Sequence, residues 1–89
     1  MLFFKRLFKR RPYRIRFDGR DLVRYTEGDR TMIIETDIGS KNRLIYKASI
    51  ASWLPPHDAD EVTEQDRERI CRNFQESLGK VEFIEPNDW

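Results

Sequence analysis

Between residues 13 and 46 apolar and polar side chains alternate with a period of two, and that rhythm constrains the fold more than any other feature of the chain. Tyr13, Ile15 and Phe17 alternate with Arg14 and Arg16, the spacing of a strand with one face buried and the other wet. Asp18-Gly19 reads as a hairpin turn of the two-residue type I′ kind, because that turn needs positive φ angles. The return strand is expected over residues 21–26, with Val23 and Tyr25 on one face. Glu27-Gly28-Asp29 turns the chain again into a third strand over 31–36. Adjacent Ile33 and Ile34 predict that this strand is central and covered on both faces. Residues 37–42 form a longer connection, and a fourth strand runs from 43 to about 47.

Trp53-Leu54-Pro55-Pro56 then stops regular structure, since proline cannot donate to a ladder. Trp53 is expected to cap the core, because aromatic side chains bury the most area per residue. Thr63 is a good N-cap, with Asp66 three residues on in a capping-box arrangement. The helix it opens runs to Leu78 with Ile70, Cys71, Phe74 and Leu78 along one stripe, and Gly79 terminates it. Residues 80–85 alternate once more as a last strand. The predicted class is α+β: an antiparallel meander sheet of four to five strands, one main helix in the C-terminal half packed on one face, and an optional short basic N-terminal helix. Eighty-nine residues supply one such core. The organisation is a basic amphipathic arm over 1–12, one domain over 13–85 and a tail over 86–89.

Charge is distributed unevenly along this plan. Residues 1–20 carry eight basic side chains against Asp18 alone, whereas residues 48–89 carry ten acidic against four basic. A near-neutral total therefore hides a basic and an acidic half, each able to attract a partner of the other sign. On a helix, Phe3, Phe4, Leu7 and Phe8 would form an apolar stripe opposite Lys5, Arg6, Lys9 and Arg10. That arm could dock on the domain or on a second copy in a homodimer, rest reversibly on an anionic membrane surface, or stay a disordered tail. No run reaches the roughly 18 consecutive apolar residues of a membrane span, which excludes a transmembrane helix. The expected location is the cytoplasm, with a peripheral place at the inner membrane surface as the variant.

Reactive chemistry finds little support. His57-Asp58-Ala59-Asp60-Glu61 lacks the glycine and distant bidentate glutamate of a calcium loop, so no metal is assigned. Cys71 falls on the helix's apolar stripe and reads as structural. No phosphate-cradling glycine loop, Ser-His-Asp order or zinc spacing occurs, so no catalytic residue and no cofactor is expected. Arg14, Arg16, Arg24 and Arg43 with Tyr13, Phe17, Tyr25 and Tyr46 could build an RNA platform on a sheet face. Alternation opposes it, since packing the aromatics under the helix strips the arginines of stacking partners. The acidic residues Asp58, Asp60, Glu61, Glu64 and Glu68 are the candidate contact surface for a basic protein partner.

One set of segments is also familiar. Gly19-Arg20, Tyr25-Thr26-Glu27-Gly28, Leu44-Ile45-Tyr46, Ser49-Ile50, Trp53-Leu54-Pro55-Pro56-His57 and the Thr63-capped helix ending at Leu78-Gly79 resemble a family of small α+β immunity proteins from bacterial polymorphic toxin systems. The resemblance covers residues 19–83, and Ser-Ile followed by Trp-x-Pro-Pro is its most specific part. It implies a non-catalytic protein that binds and blocks a toxin domain, and it brings no catalytic residues with it.

Overall fold

The computed structural model describes residues 12–86; the expected arm residues Phe3, Phe4, Lys5, Arg6, Leu7, Phe8, Lys9 and Arg10 lie outside the described residues. Five strands form one sheet in chain order: β1 (Tyr13–Asp18), β2 (Leu22–Glu27), β3 (Arg30–Ile38), β4 (Arg43–Tyr46) and β5 (Val81–Ile84). A 3-10 turn, Lys47–Ser49, and one helix, α1 (Glu64–Leu78), lie between β4 and β5. The fold class is therefore α+β, with a mostly antiparallel sheet.

The first hairpin is closed by Asp18 opposite Leu22, so three residues make its loop, and only Gly19 there has positive φ. This differs from the two-residue type I′ turn expected from Asp18-Gly19. The reason lies in register. The observed pairing sets Ile15 opposite Tyr25 and Phe17 opposite Val23, joining the buried faces of both strands. A two-residue loop at Asp18-Gly19 would have placed Phe17 opposite Arg20 and Tyr13 opposite Arg24, turning apolar residues against charged ones across the pair. The second hairpin does have a two-residue loop, closed by Glu27 opposite Arg30. Gly28 takes φ 62° and no other loop residue is positive, as a type II′ turn requires.

β1 to β4 are antiparallel, but β5 pairs parallel to β4, with Ile45 opposite Phe83. The crossover dictates this direction. The chain leaves the end of β4, returns through α1 over one sheet face, and re-enters the sheet travelling the same way. α1 begins where its capping box predicts: Asp66 N–H donates to Thr63 Oγ1 at 3.1 Å and Thr63 N–H to Asp66 Oδ2 at 3.0 Å. It ends at Gly79, whose φ of 74° favours a residue without Cβ.

The core lies between this helix and the sheet. Val23, Tyr25, Met32, Ile34, Ile45, Ile50, Ile70 and Phe74 are fully buried, and Tyr25 sits in an aromatic cluster with Phe74 at 5.7 Å, Tyr13 at 6.1 Å and Trp53 at 6.5 Å between ring centroids. Ile70 and Phe74 anchor the helix, each contributing about 1.5–3 kcal/mol by leaving water. Cys71 and Leu78, expected on the same buried stripe, are only half-buried at its margins. Thr36 is the buried polar residue of the core among the described residues; its hydroxyl donates to Leu44 O at 2.6 Å and accepts from Arg43 Nε at 3.1 Å. β3 is the middle strand, as expected. Ile34 faces the core, whereas Ile33, on the opposite face, is half-buried.

Candidate partner-binding surface

After the 3-10 turn the chain doubles back along the first half of β3, which β4 is too short to cover. Leu54 N–H donates to Thr31 O at 2.7 Å, and Ser49 Oγ accepts from Glu35 N–H at 2.8 Å. Trp53 and Val62 are the apolar anchors of the following loop, and Ser52 bridges to Glu61 to close it. Trp53 is 1% exposed, so its expected place in the core is the observed one. Two successive turns, His57 N–H to Leu54 O and Asp60 N–H to His57 O, compact the stretch between these anchors, and Pro55-Pro56 within it is cis.

The loop and the first two turns of α1 form an acidic shoulder. All five expected contact residues, Asp58, Asp60, Glu61, Glu64 and Glu68, are exposed. Two are already engaged. Asp60 Oδ2 lies 4.0 Å from Arg30 and 3.7 Å from His57 Nδ1, and Glu64 lies 3.3 Å from Arg67. Asp58, Glu61 and Glu68 have no ion-pair partner among the described residues. They are the carboxylates that solvent alone satisfies, and a cationic partner would replace only water.

Behind this shoulder lies a polar network that sequence reading did not anticipate. Arg69 grips Glu27 in two-pronged fashion, Nε to Oε2 at 2.8 Å and Nη2 to Oε1 at 2.9 Å, and its Nη1 donates to Asp66 at 2.8 Å. Tyr25 OH donates to Glu27 at 2.6 Å and accepts from Asn73 at 2.8 Å. Arg30 joins in at 3.8 Å from Glu27, with its guanidinium 4.5 Å above the Trp53 ring. Burial pushes the Glu27 carboxyl up, but the hydrogen bonds from Arg69 and Tyr25, with the charges of Arg69 and Arg30, outweigh burial and hold it below its ordinary value. Burial, with Glu27 beside it, raises the Tyr25 phenol. The Asp66 carboxyl is lowered chiefly by the Thr63 backbone N–H, and its bond to Arg69 acts in the same direction.

This network borders a recess of about 560 Å³ lined by Pro12, Glu27, Gly28, Asp29, Arg30, Arg69 and Asn73. Glu27 spends its charge on Arg69 and Arg30, whereas Asp29 is exposed at the rim with the His57 Nε2 atom 3.5 Å away. The arrangement ties the β2–β3 hairpin to the helix, and through Arg30 it reaches the acidic loop. Among the described residues no cluster of three or more His, Cys, Asp or Glu side chains could hold a metal. Cys71 is half-buried, and burial raises its thiol pKa, the opposite of what activates a nucleophile.

The residues weighed as an RNA platform separate onto different faces. Tyr13, Phe17 and Tyr25 turn toward the helix side, while Arg14, Arg16 and Arg24 are exposed on the other. Arg43 belongs with the first group. Its guanidinium lies 4.0 Å from the Phe17 ring and donates to Gly19 O and Arg20 O at 3.2 and 3.3 Å, pinning the first hairpin across the sheet.

The model of a protein family described as Immunity protein 74 matches residues 14–84, from β1 through β5. No curated protein and no solved structure matches the chain significantly.

Proposed function

The chain belongs to the Immunity protein 74 family, and we propose that it acts without catalysis, binding a toxin domain through its acidic shoulder and blocking that domain in the cytoplasm. The observation that carries this reading is the family match across the whole described sheet and helix. The shoulder supplies the physical means. Asp58, Glu61 and Glu68 project from a loop anchored by Trp53 and Val62 and from a helix fixed by its capping box. Their positions are therefore set before a partner arrives, which limits the ordering cost of binding. An unneutralised acidic patch raises the encounter rate with a basic partner and rejects acidic ones.

The test has two parts. Co-expression with a toxin domain found encoded in a neighbouring reading frame should restore growth to cells that the toxin alone arrests. Continued arrest at confirmed expression of both chains contradicts the immunity reading. A triple reversal, D58K/E61K/E68K, should then slow association about tenfold or more at low salt. An unchanged rate removes the acidic shoulder from the interface while leaving immunity intact.

A further inference from the structure

On the sheet face turned away from α1, the β1–β2 edge presents a row of arginines that no carboxylate among the described residues pairs. Arg14 and Arg16 on β1 and Arg24 on β2 are all exposed, and Arg16 stands directly opposite Arg24 in the strand register. Facing side chains in such a pair have Cβ atoms about 4.5–5.5 Å apart, and like charges there are destabilising. None of the three has an ion-pair partner among the described residues. Asp18 shares the face, and with Arg16, Phe17 and Arg24 it lines a recess of about 300 Å³. Leu22, two residues from Arg24 on the same face, is 38% exposed. The fold thus maintains a concave cationic patch with an apolar neighbour.

We propose that this patch is a second docking surface, separate from the acidic shoulder, and that its occupant is an acidic extended segment of a protein partner laid along β1. Three features select that occupant. β1 is the outermost strand of the sheet, so its outer backbone groups can accept a further strand. A strand with carboxylates at alternate positions would set them beside Arg14 and Arg16, matching charge as well as pleat. A second copy of β1 in antiparallel pairing would instead bring arginine against arginine in the face-preserving registers centred on Arg14, Ile15 or Arg16, and only the short overlap centred on Phe17 would set Arg16 against Asp18, which disfavours self-association along most of the edge.

Nucleic acid fits less well. Stacking a base needs an aromatic face beside the charges, yet Tyr13, Phe17 and Tyr25 pack toward the core side, and Tyr46, which shares the open face, lies on β4, two strands from Arg24. Glu35 and Asp37 also share the open face with Ile33, the residue opposite Arg24, and would repel a phosphate backbone extending beyond the arginines. The patch is suited to a short acidic stretch.

The experiment titrates the full chain with a synthetic ten-residue peptide alternating Glu and Thr, at low ionic strength, following backbone amides by NMR. Amides of β1 and β2 should shift, and R16T/R24T should weaken binding about fivefold or more, as expected from removing two charge contacts. E64K/E68K should leave the peptide affinity within twofold. Absence of peptide binding, shifts confined to other strands, or equal affinity in R16T/R24T each overturns the proposal. So does tighter binding of a ten-nucleotide single strand to the same amides. Mapping on the unmodified chain keeps the test valid if the double variant folds poorly, and because no toxin is present its outcome does not depend on the immunity reading.

Discussion

Replacing Glu27 by Gln removes one charge from the centre of the network that binds hairpin to helix. The Glu27 side chain is 14% exposed and that of Arg69 37%, so the pair lies between two measured regimes. Fully exposed pairs contribute about 0–1 kcal/mol, whereas breaking a buried one costs about 3–5 kcal/mol. Glutamine can still accept from Tyr25 or from one Arg69 nitrogen but not complete the two-pronged contact, and Arg69 keeps Asp66 at 2.8 Å. A loss of about 2 kcal/mol follows from that intermediate position. At about 4–8 °C per kcal/mol for a chain of this size, the melting midpoint should fall by about 8–16 °C. Thermal melts of E27Q, R69Q and the double variant at pH 7 close a mutant cycle, whose coupling energy should be about 1–2 kcal/mol. Coupling below about 0.3 kcal/mol, the scatter of independent sites, would refute the reasoning. Helix placement would then rest on Ile70 and Phe74 alone.

The same network sets a pH dependence. Glu27 and Asp66 titrate below their ordinary values, so their contribution is present above the usual carboxylate range, about pH 4, and is lost as pH falls through the depressed folded values. Urea midpoints should drop between pH 6 and 3, and E27Q/D66N should flatten that slope; an equally steep slope in the double variant would place the acid sensitivity elsewhere. Trp53 Nε1 is buried with no hydrogen-bond partner among the described residues. Trp53→Phe sheds that unsatisfied donor, which offsets part of the lost packing, so it should cost about 1 kcal/mol, while Trp53→Ala should cost about 3–5 kcal/mol. Equal losses in the two variants, read by urea unfolding, would contradict this view of the indole.

Much of the architecture is written in local pattern. Tyr13, Ile15, Phe17, Val23 and Tyr25 alternate in step with a single buried face, and Thr63 with Asp66 marks the helix start to the residue. What local pattern omits is the relation between distant segments. The length of the first hairpin loop depends on how two faces match, not on Asp18-Gly19 alone. The parallel direction of β5 follows from the crossover, because a short alternating strand reads the same either way. Glu27 and Arg69 are 42 residues apart, and neither residue type announces its partner. Half-burial of Cys71 and Leu78 follows from their places on the helix, Cys71 one position and so about 100° round from Ile70 and Leu78 at its last residue. For the proposed contact surface, residues 58–68 are legible as acidic. Only coordinates separate Asp60 and Glu64, already paired, from Asp58, Glu61 and Glu68.

The most direct measurement is the association rate of this chain with the toxin domain proposed as its partner across a salt series, for the native chain and for D58K/E61K/E68K. Electrostatic docking through the shoulder predicts that the native rate falls steeply with ionic strength and that the variant begins slower and depends less on salt. Superimposable salt profiles for the two proteins would contradict it.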